Sequence, residues 1–328
     1  MIYKEMFMKK TIISVFTIIF VFLVGCTIFV SIRDINKPNK ESIIDGKDVS
    51  KEEYIFKDDL LSIGYSIDEI TSIQNKLSLS DVKSYLLGSK KFENIASFIS
   101  NPYFKISNLK RYISYYKKNP DYSFDQIVLY VEIGLDHDFY TNVKVIDNYY
   151  DIDALVNKYN KLPEEIKYND LVNIQKPYTK DESLMIRSVV YDNFIKMADD
   201  AKKDNIDLFV VSAYRTWEKQ NNLFNNSQEA HGLEHALLYS AKPGHSEHQL
   251  GLALDLNDTN TGFAKTPAYK WLKDNAYKYG FIERYPEGKE SITGYGYEPW
   301  HYRYLGKQIT TKMFEDNITY EEYLVKYK

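Results

Sequence analysis

Four residues near the C-terminal end combine the types and spacing needed for metal-assisted hydrolysis. His248 and Asp255 lie seven residues apart, and Glu298 precedes His301 by three. His248, Asp255 and His301 form a two-histidine, one-carboxylate set. Catalytic zinc commonly takes three protein ligands and leaves the fourth position for water or substrate. Glu298 then stands close enough in sequence to a ligand to act as a base on that water. Strand periodicity alone would put Glu298 and His301 on opposite faces, so Pro299 must bend the backbone between them.

The segment carrying the carboxylate reads as a strand. Leu250 to Leu256 alternates strictly, with Leu252, Leu254 and Leu256 on one face and Gly251, Ala253 and Asp255 on the other. The leucine face suits a core. The other face is nearly bare and ends in a carboxylate, which leaves room for a ligand or metal.

The elements that must hold these residues are those of an α+β domain with a central antiparallel sheet flanked by helices. Glu182 to Lys202 carries Ile186, Val189, Val190, Phe194, Ile195 and Ala198 at helical spacing. Leu208–Val211 reads as a buried strand. Thr216 opens a further helix. Another runs near Tyr269–Tyr279 and stops at Gly280. Phe281–Tyr285 and Trp300–Tyr304 read as strands.

Several separated stretches resemble one known group of enzymes. Ser246-x-His248-x-x-Gly251-x-Ala253-x-Asp255 is similar to the signature of the LAS metallopeptidases, most of all to the VanY-type D-alanyl-D-alanine carboxypeptidases. The resemblance covers residues 151 to 308. It includes Leu155-Val156-Asn157-Lys158, Ser212-Ala213-Tyr214-Arg215, Gln220, Tyr279-Gly280-Phe281-Ile282, Arg284-Tyr285-Pro286, Ile292-Thr293-Gly294-Tyr295 and Glu298 to Tyr304. It implies a zinc carboxypeptidase that trims D-alanine from peptidoglycan stem peptides. His248, Asp255 and His301 would be the zinc ligands and Glu298 the catalytic base. Arg215 would stabilise the transition state, and Ser246 and Gln220 would contact substrate. VanY-like sequences resemble both D,D-carboxypeptidases and L,D-carboxypeptidases. A non-catalytic peptidoglycan-binding protein on the same fold is the rival from another class, and the presence of Glu298 and Arg215 argues against it.

The remaining histidines are read as non-ligands, in structural or surface positions. His245 falls outside the motif. His231 and His235 share a helical face, but their order is not His-Glu-x-x-His. His137, between Asp136 and Asp138, reads as a surface or capping cluster.

The N-terminal half sets the context. Lys9 and Lys10 precede an apolar run from Thr11 to Ile32, closed by Arg33, Asp34 and Lys37. As a helix such a run reaches about 30 Å, enough to cross a bilayer, and the preceding lysines favour a cytoplasmic N-terminus. Residues 1–32 are therefore expected to be a membrane anchor or signal segment, with the body outside. Leu23-Val24-Gly25-Cys26 also resembles a lipoprotein signal, although the apolar residues continuing past Cys26 favour an uncleaved anchor. Residues 33–56 read as a polar linker. Residues 57–150 read as a small helical region with two or three weak repeats. Ser66-Ile67-Asp68-Glu69 fits a capping box, and residues 121–126 echo residues 64–69. That region could also bind wall or partner. Residues 151–328 form the expected carboxypeptidase domain.

Composition is that of an ordinary folded domain. The 328 residues are 44 % hydrophobic and 27 % charged, ordinary values for a folded body. A net charge of -4 argues against a nucleic-acid binder. Cys26 is the one cysteine, which excludes internal disulfides and cysteine-rich metal sites.

Overall fold

The computed structural model describes residues 48–328, with side chains from Phe56 onward. The expected anchor, with Cys26 and most of the linker, lies outside the described residues. Among those described, no helix is long and apolar enough to cross a membrane. Helix α1 (Asp48–Ile63) belongs to a unit of its own, and Ser66–Lys328 forms a second compact unit.

The second unit begins with five short helices: α2 (Ile67–Lys76), α3 (Leu79–Tyr85), α4 (Ile95–Ile99), α5 (Leu109–Lys118) and α6 (Phe124–Ile133). Three start with complete capping boxes. The Ser66 hydroxyl accepts from Glu69 N at 3.2 Å, while Glu69 Oε2 accepts from Ser66 N at 2.7 Å. Ser78 with Asp81 and Ser123 with Gln126 repeat the arrangement. Each box satisfies donors that a helix start leaves unpaired. The echo between residues 64–69 and 121–126 is thus an echo of capping chemistry. Ile70, Ile73, Phe98, Tyr112 and Val131 bury the inner faces. Asp136 receives a two-pronged hydrogen bond from Arg111 at 2.6 and 2.8 Å, and His137 beside it is exposed, so this cluster is a surface feature.

Two small pairings follow: β1 (Lys144–Val145) runs parallel to β2 (Asn160–Lys161), and β3 (Leu171–Asn173) antiparallel to β4 (Met185–Arg187). Helix α7 (Ser188–Lys203) lies behind the main sheet and buries Val190, Phe194, Met197 and Ala201. The helix expected from Glu182 therefore begins later. Met185–Arg187 pairs with β3 instead, and the Met185 carbonyl accepts from Tyr214 N at 2.8 Å, so tertiary pairing overrides the helical spacing of this stretch.

The main sheet has strands β5 (Val210–Ser212), β6 (Ala253–Leu256), β7 (Phe281–Glu283) and β8 (His301–Tyr304), in the order β5-β6-β8-β7, all antiparallel. All the strands begin or end within a few residues of their expected positions. Strand β5 begins two residues late, ends one residue late and carries an irregularity between Val210 and Ser212. Leu252, Leu254 and Leu256 enter one core with Phe194, Phe281 and Tyr302. Helices α8 (Trp217–His231) and α9 (Leu233–Tyr239) follow β5, and α10 (Pro267–Asn275) lies between β6 and β7. Thr216 caps α8 by accepting from Lys219 N at 3.2 Å. Helices α11 (Glu290–Thr293), α12 (Lys307–Asp316) and α13 (Tyr320–Tyr327) complete the chain.

One part of the alternating segment departs from expectation. Glu247–Leu250 is a 3-10 turn, and Gly251 follows it in the left-handed region at φ 66°. A Cβ there would lie 2.9 Å from Arg187 Cγ. The bare position at Gly251 is filled by the Arg187 side chain rather than left for a ligand, and only Ala253–Leu256 is strand.

Candidate metal centre

The register of the sheet brings the candidate ligands together. Asp255 on β6 pairs with Ser212 on β5 and with His301 on β8. His248 arrives from the 3-10 turn before β6. His248, Asp255 and His301 are all buried, and each offers one ligand atom within 4.8 Å of the others. Asp255 Oδ1 lies 3.3 Å from His248 Nε2 and 3.3 Å from His301 Nδ1. Tetrahedral zinc with bonds of about 2.0–2.1 Å separates its ligand atoms by about 3.3 Å. The donor set and spacing therefore fit a single zinc ion. Asp255 Oδ1 is buried with no hydrogen-bond partner, as a metal-facing oxygen would be.

Each ligand is oriented from behind. His248 Nδ1 lies 2.7 Å from the Ala213 carbonyl, which can only accept, so the ring donates there and leaves Nε2 as a lone pair. Asp255 Oδ2 accepts from Arg215 Nη2 at 2.9 Å. The Tyr285 ring stands 4.8 Å from the His301 ring and the His248 ring 4.9 Å from it.

Electrostatics at the site favour a cation. Burial lowers His248 to about 4, with the Arg215 charge acting in the same direction, so the imidazole is neutral and ready to ligate. Burial also acts to lower His301, but the neighbouring carboxylates, Asp255 foremost, overcome it and hold the ring at about 9. Burial opposes ionisation of Asp255, yet the two histidines and Arg215 keep its carboxyl well below the usual range. Burial raises Glu298 to about 7. A dication held here would compete with a proton for the His301 ring.

Glu298 and Arg215 face the same cleft. Glu298 Oε2 is 3.4 Å from His301 Nδ1, and its side chain is 13 % exposed. The expected bend exists: His301 N donates to the Glu298 carbonyl at 3.1 Å, closing a turn over Pro299 and Trp300. Arg215 donates to Ser212 Oγ through Nε and Nη2, at 3.2 and 2.8 Å. The cleft has a volume of about 680 Å³ and is also lined by Gln220, Ser246 and Trp300. Gln220 is buried, with its oxygen accepting from Arg215 at 3.4 Å and its amide donating to the Ala241 carbonyl at 2.8 Å. It therefore braces Arg215 from behind.

The other histidines stay outside the ligand set. Buried His245 holds the Asn157 carbonyl through Nδ1 at 2.8 Å and packs against Tyr140. His231 and His235 are exposed with rings 4.6 Å apart, and His235 lies at the rim of the cleft.

Sequence reasoning gave no role to a buried ion network directly behind His301. Glu247 Oε1 accepts from Arg284 Nε at 2.8 Å and from Arg303 Nη1 at 2.9 Å. Arg284 also donates twice to Glu321, at 2.7 and 2.9 Å. The available signal was Arg303 two residues after His301, on the same face of a strand.

Comparisons with known proteins agree with this arrangement. The family described as VanY, D-alanyl-D-alanine carboxypeptidase, matches residues 183–307. The putative carboxypeptidase YodJ of Bacillus subtilis is 39 % identical over 212 residues, covering 60 % of this chain and 78 % of that protein. A D-alanyl-D-alanine carboxypeptidase of Enterococcus faecalis is 35 % identical over 187 residues, covering 52 % of this chain and 64 % of its own length. Among solved structures, the LdcB LD-carboxypeptidase is 41 % identical with a TM-score of 0.54, covering 57 % of this chain and 92 % of that one.

Proposed function

The chain belongs to the VanY family of D-alanyl-D-alanine carboxypeptidases, and from that premise we propose that it removes the C-terminal D-alanine of peptidoglycan stem peptides with one zinc ion. The observation that carries this reading is the convergence of His248, Asp255, His301, Glu298 and Arg215 on one cleft. Zinc, when held by the three ligands, supplies Lewis acidity that polarises the scissile carbonyl and acidifies water.

The chain's own residues do the rest. Glu298 takes a proton from the attacking water and delivers it to the departing amine of D-alanine. Burial supports that double duty, because a carboxyl lifted towards neutrality exchanges protons readily at the working pH. Arg215, fixed by Ser212, Asp255 and Gln220, stabilises the oxyanion that develops on the carbonyl. Its position needs no rearrangement as charge appears. Ser246 lines the cleft as a substrate-binding residue, its hydroxyl a donor for the free carboxylate of the terminal residue, whereas Gln220, expected to contact substrate, has its oxygen on Arg215 and its amide on the Ala241 carbonyl and acts through Arg215.

The substrate lies outside the cytoplasm, so we place the enzyme on the outer face of the membrane, held by residues 1–32. Lys9 and Lys10 ahead of Thr11–Ile32 support that topology. Intact Met1–Ile32 in the mature protein, read by mass spectrometry, would support an uncleaved anchor; a chain beginning at lipidated Cys26 would replace it.

A second reading, L,D-carboxypeptidase action on tetrapeptides, is favoured by the likeness to the LdcB LD-carboxypeptidase. Incubation with stem pentapeptide and, separately, tetrapeptide, followed by mass spectrometry, distinguishes the two. Loss of one alanine from the pentapeptide supports the first reading. Loss from the tetrapeptide alone replaces it with the second, and no loss from either rejects both.

A further inference from the structure

Glu247 Oε2 and His301 Nε2 are both buried, and neither has a hydrogen-bond partner. They lie 3.6 Å apart. An unpaired buried acceptor and an unpaired buried ring nitrogen are each costly, and a separation of 3.6 Å is a few tenths beyond a hydrogen bond. The other oxygen of Glu247 is fixed by Arg284 and Arg303, and neither Glu247 nor either arginine side chain is exposed to solvent. Arg303 is itself tied to the Ile152 and Ala154 carbonyls. The carboxylate thus has one free oxygen, and it is aimed at the one ring nitrogen of His301 that faces away from Asp255.

We infer that Glu247 is a positioning residue for the metal centre. Its Oε2 accepts the Nε2–H of His301 and so holds the ring in the tautomer whose Nδ1 lone pair faces Asp255 and Glu298. The inference rests on the zinc site proposed above and adds a residue to it. Arg284 and Arg303 then act through Glu247: they prevent the carboxylate from turning its second oxygen elsewhere. The two ligand histidines are oriented by different devices, His248 by a main-chain carbonyl and His301 by a carboxylate. The carboxylate also makes the His301 ring the more basic ligand.

The test uses the full chain and reads zinc affinity and ring protonation as well as turnover. In Glu247→Gln the amide oxygen is drawn to the two arginines and the amide N–H₂ is turned towards Nε2. That reverses the donor and favours the wrong tautomer at the same side-chain volume. Zinc affinity, measured by competition with a chromophoric chelator, is expected to fall about 10–100-fold. Nitrogen NMR of histidine-labelled, zinc-loaded wild-type protein should show His301 protonated at Nε2 and ligating through Nδ1. This second measurement needs no variant and stands even if Glu247→Gln fails to fold. Unchanged zinc affinity in a folded Glu247→Gln protein, or an unprotonated His301 Nε2 in the wild type, would overturn the inference. Either result leaves D-alanine release by the wild type as a separate question, so the two readings fail independently.

Discussion

Glu298 and His301 close a single turn, with His301 N bonded to the Glu298 carbonyl at 3.1 Å and Glu298 Oε2 3.4 Å from His301 Nδ1. The base is thereby attached to the ligand it serves, yet it is not one of the three ligand residues. Glu298→Ala should retain one zinc per chain, measured by atomic emission. Its kcat should fall about 10²–10⁴-fold, the usual contribution of a positioned general base. Loss of the zinc together with the activity would make Glu298 a ligand instead.

The chemistry at this turn was legible because residue type and spacing report it directly. His248, Asp255 and His301 do meet, and Glu298 stands beside them. What period-two reasoning missed is local. Gly251 leaves the strand in a left-handed conformation, and its bareness accommodates Arg187. Met185–Arg187 pairs as a strand inside a helical pattern because its partner, Leu171–Asn173, is supplied from elsewhere in the chain. Glu247 sits inside the recognised motif, but its partners lie 37, 56 and 54 residues away. Charges that pair across such separations are invisible to local pattern, and a charged residue in a sequence reads by default as solvated. The Gln220 amide illustrates the same limit: its bracing of Arg215 depends on the Ala241 carbonyl, 21 residues on.

Arg215 offers a sharper test of transition-state stabilisation. Its guanidinium uses the geometry of its fork to reach Ser212, Asp255 and Gln220 together. Lysine keeps the charge and loses the fork. Arg215→Lys should lower kcat about 10²–10³-fold with a smaller effect on KM. A change confined to KM, read from steady-state kinetics, would assign Arg215 to ground-state binding.

The pH dependence follows from Glu298. Burial holds its carboxyl up at about 7, while a dication beside it acts in the opposite sense. A general base works as the carboxylate, so activity is present above its folded pKa and lost as pH falls through it. The acid limb of kcat/KM should have a midpoint below about 7 and a slope of about one decade per pH unit. A flat profile down to about pH 5 in zinc-saturated enzyme would contradict this assignment.

The network behind the site should dominate stability. Arg284 lies between Glu247 and Glu321 with no solvent access, and all its links are 2.7–2.9 Å. Removing one member of such a group leaves buried charge uncompensated. Arg284→Met is expected to destabilise the protein by about 3–5 kcal/mol in urea denaturation. A cost under about 1 kcal/mol would show that the carboxylates protonate or find water without difficulty.

The most direct test of the account is a zinc titration of metal-stripped full-length chain, with release of D-alanine from stem pentapeptide measured at each point. Activity should rise linearly and stop at one equivalent, and His301→Ala should show neither the rise nor the tight binding. Full release by the metal-free chain, or activity that appears only with a second equivalent, would contradict a single zinc held by His248, Asp255 and His301.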